Sequence, residues 1–230
     1  MTHYFSAKPE TPSEKSRIET RIRGIDFRFM TDTQVFSKRH VDFGTRLMLE
    51  SAITELLARG IGRGRLLDLG CGYGVVGIAM KRVFPAMEVV MTDINERAVA
   101  LSRENMKLNR CEFVSVIVSD GFSSIEGDFD VILTNPPVRA GKKTVFSFFD
   151  DSYSHLKEGG RLYTVLQKKQ GAPSAYKKLQ ELFGSCEVIY KDSGYHIMRA
   201  IRSSGQSDAS GASRSFEKNK RMNREEEWSE

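Results

Sequence analysis

Cysteine is scarce in this chain: three occur among 230 residues, Cys71, Cys111 and Cys186. They are odd in number and far apart, and they form no C-x-x-C pair. This argues against a disulfide framework and fits a reducing, cytoplasmic setting. Histidine is nearly as rare. His3, His40, His155 and His196 form no metal-ligand spacing, so no metal is expected. Long apolar runs are also missing. None approaches the roughly 20 residues that a membrane-spanning helix needs, so no membrane partner is expected. The opening stretch, MTHYFSAKPETPSEK, lacks the apolar core of a secretory signal. Charge of one sign is not in great excess: the net charge is +5, with an isoelectric point near 9.1. That permits a polyanionic partner without requiring one.

What remains is the make-up of a globular protein, 40% hydrophobic and 28% charged. The length suits one full α/β domain with extensions. Residues 1–16 are polar and are expected to lack fixed structure. Residues 17–40 include RIETRIRGIDFRFMT, whose alternation around Gly24 predicts an antiparallel hairpin. VDFGTRLMLESAITELLARG reads as an amphipathic helix with Ile53, Leu56 and Leu57 inward. Strand-like and helix-like segments then alternate through residue 202. Asn95 is placed to cap one helix, with Ala98, Leu101 and Leu108 on one face. TVFSFFDDSYSHLKEGG reads as a helix that Gly159 and Gly160 stop. Residues 41–202 therefore form the main domain, a mostly parallel sheet with helices on both faces. The polar, charged stretch 203–230 is expected to be disordered.

Four features carry chemistry. In LLDLGCGYGVVGIAM a strand ends at Asp68, and Gly70, Gly72 and Gly74 lead into a helix. Glycines there let the backbone turn tightly and approach a ligand near the helix N-terminus. Asp93, in VVMTDIN, ends the next strand, where an acid can accept ribose hydroxyls. Asp120 ends the third, in VSDGF. The fourth is FDVILTNPPVRAGK. Pro136 and Pro137 remove two N–H donors and fix two φ angles directly after a buried strand. The turn is rigid, and its carbonyls and the Asn135 amide lie at the carboxyl edge of the sheet, where open α/β sheets bind ligands. An amino group on a π system is a poor nucleophile. If Asn135 Oδ1 and the Pro136 carbonyl accept its two N–H bonds, its lone pair can be aimed at an electrophile.

The glycine loop with its preceding acid, Asp68-x-Gly70-x-Gly72-x-Gly74, resembles the first motif of class I S-adenosylmethionine (SAM)-dependent methyltransferases. The turn Asn135-Pro136-Pro137 resembles the signature of amino-group methyltransferases, except that Val138 stands where an aromatic residue usually follows. Together with DTQVFSKRHVDFGTRLML upstream, these residues resemble the small-domain, RsmC-like guanine-N2 ribosomal RNA methyltransferases in their short, single-domain form. The resemblance implies a Rossmann-like fold with a seven-stranded, mostly parallel sheet and an antiparallel last strand. It implies transfer of a methyl group to a guanine N2 in 16S ribosomal RNA, with Asn135, Pro136 and Pro137 catalytic. SAM would rest against Asp68, Gly70, Cys71, Gly72, Gly74, Asp93, Ile94, Asp120, Gly121 and Asn135. Val35, Phe36, Ser37, Asp42, Gly44 and Thr45 would form a further wall of that pocket. Arg139, Lys142 and Lys143 would hold RNA phosphates. The partner would be ribosomal RNA or the small subunit, met by a monomer in the cytoplasm. Two alternatives stay open: adenine-N6 or protein-glutamine methylation by the same turn, and a non-catalytic assembly factor that binds SAM and RNA.

Overall fold

A computed structural model describes residues 12–33, 35 and 40–203. In chain order the elements are β1 (Ser16–Ile22), β2 (Ile25–Thr31), α1 (Phe43–Ala58), β3 (Gly64–Leu69), α2 (Val75–Val83), β4 (Met87–Asp93), α3 (Glu96–Leu108), β5 (Val114–Val118), β6 (Phe129–Thr134), α4 (Lys142–His155), β7 (Leu156–Gln167), α5 (Ala172–Phe183), β8 (Cys186–Asp192) and β9 (Tyr195–Ile201). The main sheet has seven strands in the order β5-β4-β3-β6-β7-β9-β8. β3 to β7 pair in parallel, and β9 runs antiparallel to both of its neighbours.

A parallel sheet covered on both faces needs strands that are apolar on both sides. β3 shows this: Leu66 joins the core under α1, α2 and α3, while Leu67 and Leu69 join the core under α4 and α5. Ile132 on β6 faces the second core, and its neighbours Val131 and Leu133 face the first. Helix α3 begins where Asn95 accepts the N–H groups of Arg97 (2.9 Å) and Ala98 (3.3 Å), as the sequence predicts.

The hairpin forms as its alternation predicts. Arg23 and Gly24 turn it with φ of 51° and 80°, the left-handed pair that a two-residue hairpin turn requires. β2 presents its open edge to α3. Asn105 Oδ1 accepts the Met30 N–H (2.6 Å), and its amide nitrogen donates to the Met30 carbonyl (2.9 Å). Asn109 does the same for Arg28, at 3.1 and 2.7 Å. Two asparagines four residues apart thus satisfy strand groups two residues apart and fix the hairpin to the domain.

Three expectations need correction. Leu57 and Leu108 are about half exposed rather than inward; each sits at the C-terminal end of its helix. Helix α4 stops at His155, before the glycines. Leu156 already pairs with Phe129; the ladder then slips and resumes at Arg161–Val131. Gly159 (φ 73°) lies in that irregularity, its N–H donating to the Arg202 carbonyl at 2.7 Å. The glycines continue a strand through a bulge instead of ending a helix. Third, Ser13 and Glu14 lie in the stretch expected to lack fixed structure, yet both are bound. Ser13 Oγ donates to Asp32 Oδ2 at 2.5 Å, and the Glu14 N–H donates to Oδ1 at 2.6 Å. Residues 1–11 and 204–230, and with them most of the expected tail, lie outside the described residues, as do Phe36 and Ser37.

Candidate active site

The carboxyl ends of β3, β4, β5 and β6 share one edge of the sheet, and a cavity of about 740 Å³ opens there. Among the described residues, four carboxylates line it (Asp42, Asp68, Asp93 and Asp120), with one cation, Arg139. The interior therefore suits a ligand carrying positive charge.

The β3 end is built from backbone. Gly70 and Gly72 take φ of 74° and 57°, values that any Cβ would strain. A Cβ at Gly72 would meet no atom within 4 Å, so the loop is bare toward the cavity. Cys71 and Ile94 line the cavity beside it. The Cys71 thiol is buried, and burial raises its pKa well above the ordinary value, so it is a wall rather than a nucleophile. Gly74 departs from expectation. It caps α2 and does not line the cavity; a Cβ there would lie 2.9 Å from Ser102 Oγ. Its role is close packing of the loop.

Asp68 does not face the loop it precedes. Its Oδ2 accepts the N–H of Gly77, inside α2, at 2.8 Å. Burial, the larger effect, and the nearby Asp93 push the Asp68 pKa up to about 7 against that hydrogen bond. Asp93 ties two loops together: Oδ2 accepts the Gly72 N–H at 2.8 Å and Oδ1 the Asn95 N–H at 2.9 Å. Burial raises its pKa as well, over the opposing hydrogen bonds. The Ile94 N–H reaches the same carboxylate, which keeps one of its roughly four acceptor sites for a further donor. Asp120 is exposed, and its carboxylate has no partner among the described residues. Gly121, with φ 54°, sits beside it, and the Phe148 ring of α4 covers both Gly70 and Gly121 at 3.8–3.9 Å from where their Cβ atoms would stand.

At the β6 end, Asn135 is held by the start of α1. Asp42 caps that helix, its Oδ2 accepting the Thr45 N–H at 2.8 Å and the Thr45 hydroxyl at 3.1 Å. Asn135 Nδ2 donates to Thr45 Oγ1 at 2.8 Å and to the same Asp42 oxygen at 3.2 Å. A carboxylate only accepts, so the amide nitrogen must face it. Oδ1 is therefore turned the other way and has no partner among the described residues. Thr45 lines the cavity, and its hydroxyl is engaged there, donating to Asp42 and accepting from Asn135.

The two carbonyls of the proline turn are less free than the sequence suggests. The Pro136 carbonyl accepts the Val138 N–H and the Pro137 carbonyl the Ala140 N–H, each at 2.8 Å. Pro137 has φ −75° and ψ 77°, an inverse γ-turn. Each carbonyl keeps one lone pair. Beyond the turn, Arg139 lines the cavity, and Lys142 lines a small adjoining hollow of about 100 Å³. Lys143 is exposed next to it. The sequence reading missed Phe148, Gln170 and Tyr195, all of which line the cavity. They come from elements far along the chain, and only a glycine inside a helix start, Gly44, hints that a ring approaches there.

Topology and cleft together define a Rossmann-like methyltransferase. The family model "Methyltransferase small domain" matches residues 26–199, and the chain belongs to that family. It is 46% identical over 86% of its length to Uncharacterized protein YbxB of Bacillus subtilis, covering 97% of that protein. It is 32% identical to Ribosomal RNA small subunit methyltransferase C of Pseudomonas entomophila, over 88% of this chain and 59% of the relative. Ribosomal RNA large subunit methyltransferase G of Streptomyces avermitilis is 33% identical over 73% of this chain and 43% of its own. Among solved structures, the Thermus thermophilus 16S rRNA N2 G1207 methyltransferase (RsmC), in complex with AdoMet and guanosine, superposes with a TM-score of 0.74 at 26% identity. That match covers 84% of this chain and 52% of the other. The chain thus spans nearly all of YbxB but only about half of the ribosomal RNA methyltransferases it matches.

Proposed function

We propose that this protein transfers a methyl group from SAM to the exocyclic N2 of a guanine in ribosomal RNA, that of the small subunit in the first instance. One observation carries the reading: Asp42 and Thr45 clamp the amide nitrogen of Asn135, leaving Oδ1 as a fixed acceptor on the cavity wall.

The cavity fits the cofactor. Its volume is within the range of small-molecule and cofactor sites. The bare backbone at Gly72 admits close approach, Asp93 retains acceptor capacity for a ribose hydroxyl, and the free carboxylate of Asp120 can accept an adenine amino group. Asp42 adds negative charge, as does Asp68 once it has lost its proton. When bound, SAM supplies a methyl group on a positively charged sulfur. This chain's residues do the rest. Asn135 Oδ1 accepts one N–H of the guanine amino group, and the remaining lone pair of the Pro136 carbonyl can take the other. Those bonds strengthen as the nitrogen gains positive charge, so they favour the transition state over the ground state. The nitrogen becomes acidic as it reacts, so no strongly perturbed general base is needed. Arg139, Lys142 and Lys143 at the rim meet phosphates and position the strand. The base must leave its stack or already be unpaired to reach this depth.

The test is nucleoside mass spectrometry on ribosomal RNA of both subunits lacking the modification, incubated with the protein and SAM. A rise in N2-methylguanosine is expected. A rise in N6-methyladenosine instead would overturn the target while keeping the mechanism. No methylated nucleoside from RNA or from assembled subunits would overturn the reading.

A further inference from the structure

A base whose amino group is held at Asn135 must also have its ring plane fixed, or the lone pair sweeps past the electrophile. The turn itself offers no ring, because Val138 follows the prolines. Among the described residues, three aromatic ones line the cavity: Tyr73, Phe148 and Tyr195. Tyr73 is buried, edge-on to Phe29 of the hairpin. Phe148 covers Gly70 and Gly121, at the cofactor strands. Of these three, only Tyr195 belongs to the acceptor half. It pairs with Gln167 near the carboxyl end of β7, the strand beside β6 and its Asn135 turn.

Its ring is set in place. A Cβ at Gly44 would stand 2.6 Å from Tyr195 Cε1 and 2.8 Å from Cδ1, so the ring lies against the backbone between Asp42 and Thr45, the two residues that hold Asn135. Phe43 meets it edge-on, with centroids 5.6 Å apart and planes at 61°. Tyr195 is only half-buried, and its hydroxyl has no hydrogen bond among the described residues. A preset ring, beside the amino-group acceptor and open to the cavity, is what stacking on a planar base requires.

We propose that Tyr195 is the stacking surface for the acceptor base and so sets the plane in which Asn135 holds the amino group. This rests on the reading above that the acceptor is a nucleobase. Tyr195 acts through its ring face, so phenylalanine should serve and leucine should not.

The test uses the full chain saturated with S-adenosylhomocysteine and titrated with guanosine, followed by proton NMR. In the wild type the guanosine H8 signal should move upfield on binding and show Overhauser contacts to the Tyr195 ring. Tyr195→Phe should keep the shift. Tyr195→Leu should lose it and raise the KM for ribosomal RNA about 10- to 100-fold, the scale of one base–aromatic stack. Its affinity for S-adenosylhomocysteine and its melting temperature should match the wild type. Methylation of guanine by Tyr195→Leu with an unchanged KM would overturn the stacking role and leave the proposed function standing. Bound guanosine without ring contacts in the wild type would do the same, and needs no variant. If the wild type instead methylates adenine and Tyr195→Leu weakens that reaction equally, the stacking role stands and the guanine assignment falls. If no nucleoside binds and no RNA is methylated, both fall together.

Discussion

The two halves of the cavity are built by different means. On the side we assign to the cofactor, at the ends of β3 to β5, carboxylates accept backbone N–H groups from nearby in the chain. Asp68 reaches Gly77, and Asp93 reaches Gly72 and Asn95. On the acceptor side, side chains hold side chains across long separations: Asn135 is 93 residues from Asp42 and 90 from Thr45. Backbone-built sites tolerate side-chain variation around them, because the ligand meets peptide groups. Side-chain-built sites fail when any member is removed, because each orients the next. The cofactor half should therefore lose affinity by degrees, and the acceptor half should lose turnover at nearly constant affinity.

The largest expected effect sits on the acceptor side. Asn135→Ala removes the oriented acceptor while leaving the cofactor half untouched. Turnover should fall by at least ~100-fold, with SAM affinity, measured by calorimetry, close to that of the wild type. Equal losses in both would break the comparison, since Asn135 would then be part of the cofactor's binding surface.

Asp93→Ala is the counterpart. Hydrogen bonds to a charged group are worth about 1.5–3 kcal/mol, so SAM affinity should drop about 10- to 100-fold. Turnover at saturating SAM should change far less. Normal SAM binding by this variant would remove Asp93 from the ribose role.

The clamp gives a smaller and more selective effect. Thr45→Val keeps the helix and the shape but leaves Asn135 Nδ2 with only the longer bond to Asp42. The amide can then rotate, and turnover should fall about tenfold, the cost of one lost orienting hydrogen bond. Thr45→Ser keeps the hydroxyl and should restore most of it. A serine variant as slow as the valine variant would show that the hydroxyl by itself does not hold Asn135 in place.

The same contrast explains what could be read from the chain. Asp68, the glycine loop and Asp93 were legible because strand, turn and helix follow one another within short windows, and each glycine has a local reason. Asn135 and its prolines were legible as a rigid turn, but the reason for the amide's orientation was not. It lies in a helix cap at Asp42, which looks like any other cap until the fold brings β6 beside it. Tyr195 was invisible because its place on the cavity depends on an antiparallel pairing at the far end of the sheet. The glycines at 159 and 160 misled for a related reason: a helix stop and a strand bulge use the same residue. Gly74 looked like part of the ligand loop, although its missing Cβ makes room for Ser102.

The smallest effect is a pH dependence confined to the cofactor half. Asp68 is raised from 3.8 to about 7 in the folded protein, chiefly by burial. Between those values the folded chain holds a proton that the unfolded chain has released, so this group's contribution to stability is present at low pH and is lost as pH rises toward 7. The positive charges of SAM favour the ionised form, so binding should expel that proton. Affinity should therefore rise with pH and flatten above about 7, by about fourfold between pH 6.5 and 8. Proton release should appear in calorimetry as a dependence of the binding heat on the buffer used. Asp68→Asn keeps an oxygen for the Gly77 N–H but has no proton to lose, so its affinity profile should be flat across that range. If the variant's profile keeps the wild-type slope, the titrating group is Asp93, whose pKa burial also raises. The acceptor half supplies the control: Thr45→Val should slow turnover while leaving the pH profile of SAM affinity where the wild type has it.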